Sequence, residues 1–392
     1  MKMISFSFRS ARMGRSLTTA LFVAGLQLLL VAFLSGNLQA GDENEGGHFF
    51  RWVNLQSDIP GVADRTDSNL VNPWGLALNG ARNVFWVADN HTGMSTLYRP
   101  DGAPVPNPNQ PLVVKIPASS GIATDVASPT GLVFNPNADA FLLSDKQPAL
   151  FIFDAEDGGI SAWNPGLNPV TKAVLVVPTS GVPPSGAIYK GLALGNRPIG
   201  GPTLYAADFH NGKVDVFDSK FNPVMTGGFK PLGIPPIPSD FAPFGIANIE
   251  GFIYVTYAKQ KPPDNADDLS GPGNGFINVF ATDGAFVMRL VSNGPLNSPW
   301  GLAKVPSSGF GELRPNVLLV GNFGDGTINA FDIQSGASRG PLFHRPNQPL
   351  AFSGLWSLLF FDHRLYFTAG LAEEEHGLFG FIRTVEKGDR NE

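Results

Sequence analysis

Short runs of alternating apolar and polar residues, each closed by Gly, Pro, Asn or Asp, follow one another along almost the whole chain. Alternation of period two marks half-buried strands, and turn residues between the runs mark their connections. After the first 40 residues no stretch of about 12 carries a helical period. One phrase heads each group of runs: a small residue or Pro, an aromatic, then Gly-Leu-Ala. It reads Asn72-Pro73-Trp74-Gly75-Leu76-Ala77 and Ser128-Pro129-Thr130-Gly131-Leu132-Val133, then Tyr189-Lys190-Gly191-Leu192-Ala193 and Ala242-Pro243-Phe244-Gly245-Ile246-Ala247. Ser298-Pro299-Trp300-Gly301-Leu302-Ala303 and a degenerate Gly354-Leu355-Trp356-Ser357-Leu358-Leu359 complete the series, with steps of 54 to 60 residues.

Each phrase is followed by a second apolar run: Phe85 to Asp89, Phe141 to Asp145, Leu204 to Asp208, Ile253 to Tyr257, Val317 to Asn322 and Leu365 to Ala369. A turn, a third run ending in an aromatic and a short fourth run close the unit. Four strands per repeat of this size predict a propeller blade. Six copies predict an all-β, six-bladed β-propeller with four antiparallel strands per blade, the blades starting near 72, 128, 188, 242, 298 and 354. The Gly of each phrase has a packing reason, because inner strands crowd at the axis. The sixth unit lacks a fourth run, and an apolar run at Phe49 to Leu55 belongs to no unit. Residues 49–57 are therefore expected to join the last blade as its outer strand and close the ring, since an open edge would otherwise remain.

Composition narrows the chemistry. Among 392 residues there are 46 Gly and 34 Pro, which oppose a helical bundle, and no Cys, which excludes disulfides, thiolate metal sites and a cysteine nucleophile. Lys2, Arg9, Arg12 and Arg15, an apolar run from Leu17 to Leu34 and a small-residue site at Leu38-Gln39-Ala40 form the pattern of a Sec-type signal peptide over 1–40. Left uncleaved, that run could just span a bilayer as an anchor. Residues 41–392 are expected to be one soluble, exported, monomeric domain, periplasmic or extracellular. The segment holds four basic residues and no acidic ones, so its removal takes the net charge from −6 to −10. Such a surface disfavours nucleic acid and anionic membranes and suits cations.

The blade phrase resembles that of NHL-type six-bladed propellers. More narrowly the chain resembles a family of exported, functionally uncharacterised bacterial propeller proteins. The matching phrases are Leu70 to Ala77, Ala207 to Phe217 and Val320 to Ile328, within a resemblance that covers about 49–383. It implies a fold and carries over no catalytic residues. The C-terminal sorting segment of some relatives is absent from Glu386-Lys387-Gly388-Asp389-Arg390.

In a propeller the loops from strand 2 to 3 and from strand 4 to the next strand 1 share one face, and ligands bind at its channel mouth. His91, His210, Tyr257 and His376 are the candidate ligand-binding residues there. Two departures from the repeat fall on the same face: the insertion Ala258 to Asn274 and the run Glu373-Glu374-Glu375. Asp89, Asp145, Asp208 and Asn322 end the second run of their units. Four oxygen donors round a channel could hold Ca²⁺, although the repetition favours carboxylates that cap their own turns. A Zn²⁺ site from His91, His210 and His376 lacks a close His pair. Trp74, Trp300 and Trp356 begin inner strands and suit the wedge between blades better than a stacking platform. The Gly-x-Ser-x-Gly match Gly336-Ala337-Ser338-Arg339-Gly340 opens no helical run, so no nucleophile elbow is expected, and no phosphate loop is present. The expected function is a binding or interaction module for a protein, glycan or small molecule. The alternative is a metal-assisted, calcium-type hydrolase, lactonase or lyase at the top of the channel.

Overall fold

The computed structural model describes residues 49–120, 125–178, 186–224 and 228–385, and the expected signal segment lies outside them. Every regular element of the described residues is a β-strand. Six inner strands, Pro73–Asn79, Pro129–Phe134, Tyr189–Arg197, Phe241–Ile249, Pro299–Lys304 and Leu355–Phe361, each occupy one edge of a sheet. Each lies against the inner strand of the next blade, and the last returns to the first, so the blades form a closed six-membered ring.

The glycine of the blade phrase makes this ring possible. A Cβ on Gly245 would sit 2.2 Å from the Trp300 carbonyl oxygen, and one on Gly131 would sit 2.2 Å from the Leu192 nitrogen. At these two positions backbone meets backbone, where a side chain would clash, whereas the sixth blade accommodates Ser357 at the same level. Outward from the axis, apolar side chains of facing blades form the core. Phe85 of the first blade packs on Tyr366 and Phe379 of the sixth, and Trp86 stacks on Phe151 of the second at 4.1 Å.

The last sheet contains Leu355–Phe361, Arg364–Leu371, His376–Thr384 and, outside these, Phe50–Ser57. Phe50–Ser57 runs antiparallel to His376–Thr384, from Phe50 opposite Thr384 to Ser57 opposite Leu378, and a short parallel strand Arg65–Thr66 lies beyond it. The third blade has three strands among the described residues, ending at Lys213–Phe217.

The second blade departs from the sequence reading. Its inner strand pairs with Phe151–Ala155, in register from Phe134 opposite Phe151 to Pro129 opposite Ala155. Ile160–Trp163 and Val174–Val177 complete the sheet. Residues 141–145 belong instead to the long connection between first and second strands, and Asp145 is exposed there. Asp145 is thus not equivalent to Asp89, Asp208 and Asn322, and it lies at the other end of the blade. Both 141–145 and 151–153 read as apolar runs. Phe151–Ala155 holds the ladder because its alternate residues Phe151 and Phe153 fill the wedge towards the first blade while Ile152 fills the wedge towards the third.

Candidate ligand-binding face

The residue before the glycine of the blade phrase, or before Ser357 in the sixth blade, forms a ring of six at one end of the channel: Trp74, Thr130, Lys190, Phe244, Trp300 and Trp356. Trp74 stacks on Trp356 at 3.5 Å, and Trp300 meets both edge-on at 6.3 and 5.8 Å. Phe323 stacks on the outer side of Trp356 at 4.1 Å. This aromatic plug closes the channel on the face that carries the strand 2–3 loops. On the opposite face the channel remains open as a cavity of about 860 Å³ that ends at Trp300 and is lined by the inner strands. The tryptophans are therefore core side chains, with Trp74 and Trp356 buried and Trp300 half-buried.

Lys190 stands in the plug where the other blades carry Trp, Phe or Thr. It is 2% exposed. Its ammonium lies 2.5 Å from Glu156, 3.5 Å from Asp267 and 5.1 Å above the ring centre of Trp74. Burial opposes the charge, but Glu156 and, further off, Asp267 and Asp268 more than offset it and hold the ammonium above its ordinary range. Burial also works against the Glu156 carboxylate, and Lys190 reverses this, so its pKa falls. The Asn90 amide donates to the second Glu156 oxygen at 3.0 Å.

A chain of polar contacts continues round the mouth. The Trp356 indole donates to Asn72 Oδ1 at 3.1 Å, and Asn72 Nδ2 donates to Glu374 at 2.6 Å. Glu374 arrives on a turn in which Ala372, Glu373 and Glu374 are all left-handed, at φ 50°, 57° and 70°. Non-glycine residues adopt this region at a cost, and such strain concentrates at functional sites. Gly370 makes room for Asn72, since a Cβ there would meet Asn72 Oδ1 at 2.3 Å. On the other side Asp268 accepts from Ser298, and from Ser270 at 3.0 Å. Burial raises the pKa of both Asp268 and Glu374, and the bonds from Ser298 and Asn72 only partly offset it. Four carboxyl groups (Glu156, Asp267, Asp268 and Glu374) thus surround one ammonium. Beside them, between the fifth and sixth blades, lies a cavity of about 540 Å³ lined by Ser270, Phe323, Asp325, Glu373, Glu374 and glycine backbone.

The residues expected from sequence are dispersed. His91 is exposed at the rim, close enough to lower the Glu156 pKa. His210 Nδ1 is 2.9 Å from the Asp264 carbonyl, which ties it to the insertion, and His376 Nδ1 is 2.6 Å from Asp58. Tyr257, opposite Pro243, is 2% exposed, and its side chain packs in the wedge between the third and fourth blades. Asp208 accepts from Asn211 and from the Ile188 amide, and Asn322 bonds Asn297, Pro295 and Asp325, so each secures loops of its own blade. Asp89 is fully buried, and burial pushes its pKa well up, with Thr96 acting in the opposite sense. Among the described residues no three His, Cys, Asp or Glu side chains are placed to share a metal ion. Asp145, at the far end of its blade, cannot join Asp89, Asp208 and Asn322 round one ion.

Lys190, Glu156, Asn72 and Asn90 were not singled out from sequence. A signal existed for Lys190, the one charged residue in the column Trp, Thr, Lys, Phe, Trp, Trp. Glu156 was hidden by the misplaced second strand of its blade.

The fold and mouth define a six-bladed propeller with a plugged, acidic face. No family model matches the chain. It is 33% identical over 342 residues to the uncharacterised protein R648 of Acanthamoeba polyphaga mimivirus, covering 84% of this chain and 78% of that one. The uncharacterised protein L690 of the same virus is 33% identical over 330 residues, covering 82% of each. The chain belongs to the family of these two proteins, which are viral, whereas the sequence resemblance pointed to bacterial ones. Among solved structures a glucose dehydrogenase superposes with a TM-score of 0.50 at 12% identity, over 86% of this chain and 99% of that one. That likeness concerns the fold alone.

Proposed function

We propose that the protein is an exported, monomeric binding propeller that takes a small organic cation in the cavity beside the Lys190 network. The observation that carries this reading is the wall of that cavity. Asp325, Glu373 and Glu374 face it together with the ring of Phe323, while Lys190, the cation of the neighbouring network, is already paired with Glu156. Carboxylates supply charge complementarity, and an aromatic face adds cation–π attraction to an ammonium group. Glu374 is held at raised pKa by burial, so a bound cation offsets the solvation that burial removes from it. A pocket of this size with a few convergent polar groups suits a small molecule.

Titration calorimetry with putrescine, choline and arginine tests the reading. The expected result is saturable one-to-one binding of at least one of them, weakened at least about tenfold in the double variant Glu373→Gln/Glu374→Gln and weakened again by added salt. Absence of saturable binding by all three, or binding unchanged in the double variant, contradicts it.

A further inference from the structure

Thr256 and Thr368 hold equivalent places in the fourth and sixth blades, one residue before the position opposite the start of the inner strand. Each hydroxyl does two things. It accepts the N–H that follows the plug residue of its own blade, from Gly245 at 2.8 Å or Ser357 at 3.1 Å. It also donates to an inner-strand carbonyl of the next blade, Pro299 at 2.6 Å or Trp74 at 2.7 Å. One hydroxyl thereby fastens one blade to the next.

In the second blade this place is taken by Asp154, which is fully buried. Its Oδ1 accepts the Gly131 N–H at 2.5 Å, as the threonines do. An ionised carboxylate cannot perform the second act, because it has no proton to give. Instead Thr130 stands between the blades. Its Oγ1 is 2.9 Å from Asp154 Oδ1 and 2.9 Å from the Tyr189 carbonyl of the third blade. A hydroxyl has one proton and cannot donate to both acceptors. If Asp154 is ionised, Thr130 turns its proton to the carboxylate and the Tyr189 carbonyl loses its donor. If Asp154 carries a proton, it donates to Thr130 Oγ1, and Thr130 donates onward to Tyr189, which restores the link made by Thr256 and Thr368. Asp154 Oδ2 has no protein partner, so the ionised form leaves an unsolvated buried oxygen as well.

We propose that Asp154 is a proton-operated latch between the second and third blades, closed as the carboxylic acid and released as the carboxylate. The charged and titratable groups on the elements packed round it are already committed. Glu156 pairs with Lys190. Asp208 and Asp215 of the third blade both lie by Lys213, at 3.4 and 2.5 Å, and the Tyr189 hydroxyl donates to Asp215 at 3.1 Å. None supplies a cation to Asp154. Burial raises its pKa from 3.8 to about 7, with the bonds from Thr130 and Gly131 acting in the opposite sense. The sign of the linkage follows. The unfolded carboxyl ionises near 3.8 and the folded one near 7, so stability falls as pH rises through that window and levels off above it.

Thermal melts of the full chain from pH 4 to 8.5 test the latch in wild type and Asp154→Asn, whose amide fills the same place without titrating. The expected result is that the wild type loses about 5 °C of Tm more than the variant between pH 4 and 7.5, and that the variant is the more stable of the two above pH 7.5. Profiles that stay parallel over the whole range overturn the proposal. Asp154→Thr, the residue of the fourth and sixth blades, serves the same comparison if the asparagine variant does not fold. In the wild type itself the Asp154 carboxyl carbon, followed by NMR, should titrate near neutrality, and a titration below pH 5 overturns the proposal without any variant.

Discussion

Lys190 shows how a single position sets the character of the mouth. It replaces an aromatic or threonine in the plug and brings a charge into a wall of tryptophan. Removing one partner of a buried pair costs more than the pair itself contributes, because the other charge is stranded. Lys190→Met should therefore destabilise the fold by about 3 kcal/mol in denaturant titrations, and adding Glu156→Gln should recover more than half of that loss. Equal stability of the single and double variants would show that the two charges do not depend on each other. The position was readable only as an oddity in a column of repeats. The sequence places Lys190 before Gly191, but it does not place Glu156 opposite, because that requires the register of a different blade.

At the scale of the element, strand count and repeat length were legible, because every blade reuses the same punctuation. Register was not. In the second blade two apolar runs compete for the second strand, and the run that also fills both neighbouring wedges takes it. That choice moves Asp145 out of the ring of strand ends and brings Asp154 and Glu156 to the centre of the argument. The strand Phe50–Ser57 makes the opposite case, since its apolar run and the missing fourth run of the last unit both stand in the sequence. It buries Phe50, Leu55, Gln56 and Ser57 and pairs along almost its whole length. Deleting residues 49–57 should lower Tm by more than about 10 °C and broaden the transition, because the outer edge of the sixth blade is then left open. An unchanged, equally sharp melt by differential scanning calorimetry would show that this strand does not hold the ring.

At the scale of the whole molecule the two ends of the channel differ. One is an open cavity of about 860 Å³ walled by inner strands, and the other is closed by aromatic side chains under a collar of carboxylates. The six-fold repeat predicts a ring and the loops that share each face, but not that one end is acidic. The difference comes from residues that break the repeat: Lys190, the insertion that carries Asp267 and Asp268, and the left-handed turn that carries Glu374. The account therefore stands or falls on which face a ligand occupies. Hydrogen–deuterium exchange with saturating putrescine, or whichever of the three cations binds most tightly, measures this directly. Slowed exchange in 322–327 and 370–376, with 248–250 and 304–307 unchanged, is the result expected. Protection confined to 248–250 and 304–307 would contradict the assignment of the acidic mouth as the binding face.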